Sequence, residues 1–144
     1  MSKKYPTVSA KELFICINPR HATEEERWQG LPAIIPGYRP CADAFLNHLL
    51  SLIHRYGNKE ASFYAEKLEL ETKDLNSVVY VLTDTRFAEF LVEYSLLMAC
   101  DLLAHTDMDI KTVASRCGYS RSGLFRAFIR NYRISPTRWR LRHR

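Results

Sequence analysis

A chain of 144 residues with 47% apolar and 26% charged side chains is long enough for one packed domain or two very small ones. No apolar run approaches the roughly 20 residues of a membrane-spanning helix, and no apolar leader follows Met1-Ser2-Lys3-Lys4-Tyr5-Pro6, so a cytoplasmic protein with no membrane partner is expected. The net charge of +5 conceals an asymmetry: from Ala104 onward ten Lys/Arg face only Asp107 and Asp109, whereas the first 103 residues carry eleven basic and fourteen acidic side chains. An excess that is nearly all arginine and confined to one helical stretch suits phosphate and base edges, which makes nucleic acid the favoured partner.

Residues 1–40 are expected to be an irregular extension or linker. Prolines at 6, 19, 32, 36 and 40, with Gly30 and Gly37, forbid long helices across most of it. Leu13-Phe14-Ile15-Cys16-Ile17 has the pattern of a short strand, and Thr23-Glu24-Glu25-Glu26-Arg27-Trp28 that of a helical turn or two. From about residue 41 the pattern is helical throughout. Phe45, Leu46, Leu49, Leu50, Ile53 and Tyr56 make one apolar face that stops at Gly57. Ala61, Tyr64, Ala65 and Leu68 predict a short second helix, and Leu75, Val78, Val79 and Leu82 a third beyond the break at Glu69-Leu70-Glu71. A long helix over about 86–104 should bury Phe87, Phe90, Leu91, Tyr94, Leu97, Met98 and Leu102. Asp109 is placed to cap a fifth helix with Ile110, Val113 and Ala114 inward, and Gly118 to end it. A sixth helix from Ser120 should bury Leu124, Ala127, Phe128 and Tyr132, and Ser135-Pro136 opens a last one carrying Trp139. The fold class is therefore all-α.

Two short helices around a tight turn, the second carrying basic residues outward, define a helix-turn-helix. The segment at about 109–132 fits. With Leu124 and Phe128 inward, helical spacing turns Arg121, Ser122, Phe125 and Arg126 toward the base edges of a major groove. Arginine there suits guanine, and Phe125 a thymine methyl or a packing role. Lys111, Arg130, Arg133, Arg138, Arg140, Arg142 and Arg144 are better suited to phosphates, which position a protein without specifying sequence.

The stretch Asp109-Ile110-Lys111-Thr112-Val113-Ala114-Ser115-Arg116-Cys117-Gly118-Tyr119-Ser120, continued by Leu124-Phe125-Arg126-Ala127-Phe128 and Ser135-Pro136-Thr137-Arg138-Trp139-Arg140, resembles the second helix-turn-helix of the AraC/XylS family. The resemblance runs from about residue 42 to the end. It implies two helix-turn-helix subdomains, about 60–83 and 109–132, joined by a long linker helix at about 86–104, with about seven helices in all. It also implies a transcription regulator of bacterial type that meets duplex DNA, with RNA polymerase or another regulatory protein as a further partner. The family often has glycine where Arg133 stands. Its first recognition helix is poorly matched here, with Lys73, Asn76 and Ser77 as weak contacts beside Asp74, and Glu69 and Glu71 in the preceding turn.

The competing reading is a protein-interaction module on a helix-turn-helix scaffold that has lost specific DNA binding. An enzyme is not expected: His21, His48, His54, His105 and His143 are scattered, and no nucleophile elbow, phosphate loop or metalloprotease motif occurs. Cys16, Cys41, Cys100 and Cys117 make no CxxC pair, and no ligand spacing supports zinc at Cys41, His48 and His54, so neither metal nor cofactor is expected.

Overall fold

The computed structural model describes Ala10 and residues 44–143. The expected strand at 13–17 and helical turn at 23–28 lie outside the described residues, as do Cys16, Cys41 and Arg144. Residues 44–143 form seven helices: α1 Ala44–Tyr56, α2 Ala61–Lys67, α3 Thr72–Thr83, α4 Phe87–His105, α5 Ile110–Arg116, α6 Arg121–Tyr132 and α7 Pro136–His143. No strand occurs among the described residues.

The two helix-turn-helix units share one register. Ala61 corresponds to Ile110, Thr72 to Arg121 and Thr83 to Tyr132, a constant offset of 49 residues. Under that offset the left-handed residues Glu69 and Asp84 fall on Gly118 and Arg133. The buried pairs Tyr64/Ala65 and Leu75/Val79 likewise fall on Val113/Ala114 and Leu124/Phe128. The shared pattern of inward side chains and turn geometry explains why both segments fold alike although their surfaces differ.

Helix α4 ties the units together. It packs against α1, α3, α5 and α7, so neighbours cover it on several sides. This shifts the buried stripe from the one that spacing alone suggests. Leu96, Ala99 and Leu103 are buried, whereas Leu97 and Leu102, expected inward, are half-buried. A helix enclosed by four others has no single apolar face, so periodicity loses its power to orient it.

The junction between the units is a contact of backbone on backbone. Gly57, which ends α1, and Gly118, which ends α5, both hold the left-handed conformation, with φ of 73° and 80°. A Cβ on Gly57 would lie 2.3 Å from the Cys117 carbonyl carbon, and one on Gly118 would lie 2.3 Å from the Asn58 nitrogen. The Asn58 N–H donates to the Cys117 carbonyl at 2.8 Å across this contact, and the Tyr64 hydroxyl donates to the Gly57 carbonyl. Any side chain here is opposed by both the backbone conformation and the opposing chain. Gly57→Ala is therefore expected to lower stability by at least about 2 kcal/mol. Urea unfolding checks this, and an unchanged midpoint would show that the two backbones do not bear on each other.

His54 lies on the inner side of the same helix end, its Nε2 2.6 Å from the Tyr94 hydroxyl. Burial lowers its pKa from 6.5 to about 4, so the imidazole shares this hydrogen bond with the tyrosine in its neutral form. On unfolding it regains its ordinary proton affinity, and the unfolded state binds more protons between those values. The contribution is full above about pH 6.5 and is lost as pH falls toward 4, by about 2 kcal/mol between pH 7 and pH 5. A His54→Gln variant should lose that much less stability than the parent over this interval in urea titrations; parallel losses would contradict it.

Candidate nucleic-acid interface

Helix α6 begins with a cap formed by its own sequence. The Gly123 N–H donates to Ser120 Oγ at 3.0 Å, and Ser122 Oγ lies 3.4 Å from the same oxygen. Helix α5 begins similarly, with the Thr112 N–H donating to Asp109 Oδ1 at 2.7 Å. These Thr112 hydrogen bonds hold the Asp109 carboxyl below its ordinary range, and the nearby Lys111 and Arg121 charges act in the same sense. The cap thus marks where the charged ends of α5 and α6 meet.

Leu124 and Phe128 are wholly buried and fix the rotation of α6. Phe128 makes edge-to-face contacts with Tyr132 at 5.0 Å and Trp139 at 6.3 Å, which anchors the helix on α7 as well. The opposite face presents Arg121, Ser122, Phe125, Arg126, Ile129 and Arg130 to solvent. Phe125 is 49% exposed, a large apolar side chain left open to solvent. Arg121, Ser122, Phe125 and Arg126 line one groove of about 760 Å³ together with Ile110 and Pro136. Helix α6 thus brings the four expected base-edge residues together.

The residues assigned to phosphate do not stay together. Lys111, Arg130, Arg133, Arg138 and Arg142 are all exposed. Arg140 is half-buried and takes another place: its Nε donates to the Leu103 carbonyl at 3.0 Å and its guanidinium NH₂ to the Thr106 carbonyl at 3.3 Å. Those carbonyls belong to the end of α4, whose last turn has no helical donors left. Arg140, expected to meet phosphate, thus also locks α7 onto the linker helix. Spacing missed this because alternate arginines in a short terminal helix look equivalent until a neighbouring helix end is placed beside one of them.

The first unit differs sharply on the matching face. Lys73 pairs with Glu71 at 3.4 Å, both side chains more than 70% exposed, so the pair adds little stability but offsets the lysine charge. Ser77 Oγ donates to the Lys73 carbonyl at 2.9 Å. Asn76, Tyr80 and Val81 complete an exposed face without arginine, where α6 carries Phe125, Ile129 and Arg130 at the matching positions. Between the units runs a groove of about 850 Å³ whose lining includes Glu89 and Glu93 of α4 as well as Arg126 and Arg130 of α6. Sequence reading missed these carboxylates, whose spacing of four residues on one helix was the available signal.

No group of three or more His, Cys, Asp or Glu that could hold a metal ion occurs among the described residues. Cys100 and Cys117 are free thiols that burial pushes up to about 11 and about 12, so neither is poised as a nucleophile. No helix among the described residues is long and apolar enough to cross a membrane.

A family model described as a helix-turn-helix domain matches residues 64–142, more than half of the chain. The fold and this match define a helix-turn-helix protein of the kind found in DNA-binding transcription regulators. The chain belongs to the AraC-type helix-turn-helix family. A comparison with curated proteins finds no match. Among solved structures, the chain is similar to the C-terminal domain of the two-component response regulator yesN from Fusobacterium nucleatum, at 20% identity and a TM-score of 0.61, over 70% of this chain and 99% of that one. It is similar to the DNA-binding domain of AdpA, solved with a target DNA, at 24% identity and a TM-score of 0.60, over 69% of this chain and 92% of that one. A DNA-binding transcriptional dual regulator from Escherichia coli K-12 matches at 21% identity and a TM-score of 0.59, over 74% of this chain and 97% of that one.

Arg133 ends α6 in the left-handed conformation at φ 65°, its N–H bonded to the Ile129 carbonyl at 3.1 Å. Glycine meets that conformation without the Cβ penalty. Arg133→Gly should therefore raise stability by about 0.5–1 kcal/mol. If Arg133 also meets phosphate, the same variant should bind duplex DNA less tightly, equally on all sequences. Urea unfolding and duplex titration separate the two effects, and a loss of stability would contradict the strain.

Proposed function

We propose that this chain is a sequence-specific regulator that binds duplex DNA and reads the major groove mainly with α6. The observation that carries this reading is the exposed set Arg121, Ser122, Phe125 and Arg126, held on one face by the buried Leu124 and Phe128. Residues at the N-terminal end of a recognition helix reach deepest into the groove. Arg126 and Arg121 have the donor geometry for the O6 and N7 of guanine, and the exposed Phe125 suits a thymine methyl. Lys111, Arg130, Arg133, Arg138 and Arg142 hold the helix there through phosphates. That AdpA was solved with its target DNA supports the same use of the fold here.

The first unit contributes little to affinity. Its Lys73 charge is offset by Glu71. Tyr80 and Val81, 55% and 58% exposed, suit it better to a protein partner such as RNA polymerase or another regulator.

Selection from a random duplex library at two salt concentrations tests the reading. An enriched, salt-sensitive motif is expected, and Arg126→Ala should cost about 1–3 kcal/mol on that motif while relaxing one position within it. Binding without any enriched motif, or no binding at all, would overturn it, the second outcome in favour of an interaction module.

A further inference from the structure

The glycine contact that joins the units has an electrostatic consequence. Arg55 stands two residues before Gly57 and Arg116 two residues before Gly118, so the junction draws the ends of α1 and α5 together. The side chains of His54, Arg55, Lys111, Thr112, Ser115 and Arg116 line one groove of about 770 Å³. Three of these are cations, two are hydroxyls, and no carboxylate is among them. The imidazole, its pKa lowered by burial, adds no charge at neutral pH. The Arg55 guanidinium lies 5.5 Å from the centre of the Tyr56 ring, over its face. Like charges gathered in a groove without a carboxylate repel one another, and a bound anion relieves that repulsion.

The groove lies on the helix that precedes the reading helix. Lys111 of this groove and Arg121 at the start of α6 both act on the Asp109 carboxylate, so the two cationic surfaces are neighbours with that carboxylate between them. In a helix-turn-helix the first helix crosses the phosphate backbone while the second enters the groove. Arg55 belongs to neither helix of that unit, yet it lines the same groove as Lys111, Ser115 and Arg116 of α5.

We propose that the groove between α1 and α5 is a phosphate-binding site for the DNA strand flanking the major groove occupied by α6, with Arg55 and Arg116 as its anchoring cations. The Ser115 hydroxyl is exposed beside them as a further donor to phosphate oxygens, while the Thr112 side chain is held by Asp109. This inference rests on the reading of the chain as a duplex-DNA binder. It extends the contact beyond α6 and assigns the extension to side chains that carry affinity without sequence information.

The test uses the full chain, a selected duplex and a scrambled duplex of equal length, with affinity measured over a range of salt. The R55Q/R116Q variant should lose affinity by the same factor on both duplexes. Its plot of log affinity against log salt should be shallower by about 2, close to 0.9 per phosphate no longer neutralised. R55K/R116K, which keeps both charges, should restore the slope. Should the double Gln variant fold poorly, R116Q alone carries the test with a change near 1. A merely structural role for these arginines would shift the melting temperature and leave the slope alone, which would overturn the proposal. Loss confined to the selected duplex, or loss of binding to an acidic polypeptide with duplex binding intact, would overturn it too. Absence of salt-sensitive duplex binding by the parent chain would remove the DNA reading as well, whereas an unchanged slope removes only this site.

Discussion

The arrangement of this molecule depends on two glycines that touch. The helices of both units contribute to one apolar core. What sets one against the other is the left-handed backbone at Gly57 and Gly118, packed too closely for a β-carbon and joined by the hydrogen bond from Asn58 to Cys117. Hydrophobic burial is non-directional and tolerates some sliding of packed helices. A backbone contact at this distance does not. It fixes the angle of α1 against α5, and through the shared linker helix it fixes where α3 and α6 face. Arg140 reinforces the same arrangement from the other end, bonding two carbonyls at the close of α4 from within α7.

On that symmetric frame the surface is asymmetric. A constant register of 49 residues relates the two helix-turn-helix units, down to the left-handed residue that ends each second helix. Their outward faces have nevertheless diverged. The second carries arginines at the start and middle of α6, while the first carries an acid-paired lysine, an amide, a serine and exposed apolar side chains. Scaffold and surface answer to different physical demands. Buried positions must fill space and turn positions must fit φ, whereas exposed positions are free to follow the partner.

The sequence made the second unit legible in detail because its signals are local. Asp109, Ser120 and Ser135-Pro136 mark helix starts by capping chemistry, and Leu124 with Phe128 settles the rotation of α6 by spacing alone. Arg133 was marked by the absence of an expected glycine, and it does hold the left-handed conformation. Features that depend on distant neighbours were not legible. The buried stripe of α4 turned away from Leu97 and Leu102 because helices pack on several of its sides. The role of Arg140 required a helix end 34 residues earlier in the chain. Gly57 and Gly118 each read as a helix terminator, and nothing in one dimension says that two terminators meet.

The central claim is that one reading head, α6, sets DNA specificity while the first unit stays silent. A hydroxyl-radical footprint of the chain on its selected duplex, run beside a base-methylation interference assay, tests it most directly. The expected result is protection around a single major groove and its flanking phosphates, with base-specific interference confined to that half-site. Two equal blocks of base-specific interference, one helical turn or about 10 base pairs apart, would show that α3 reads as well and would contradict the claim.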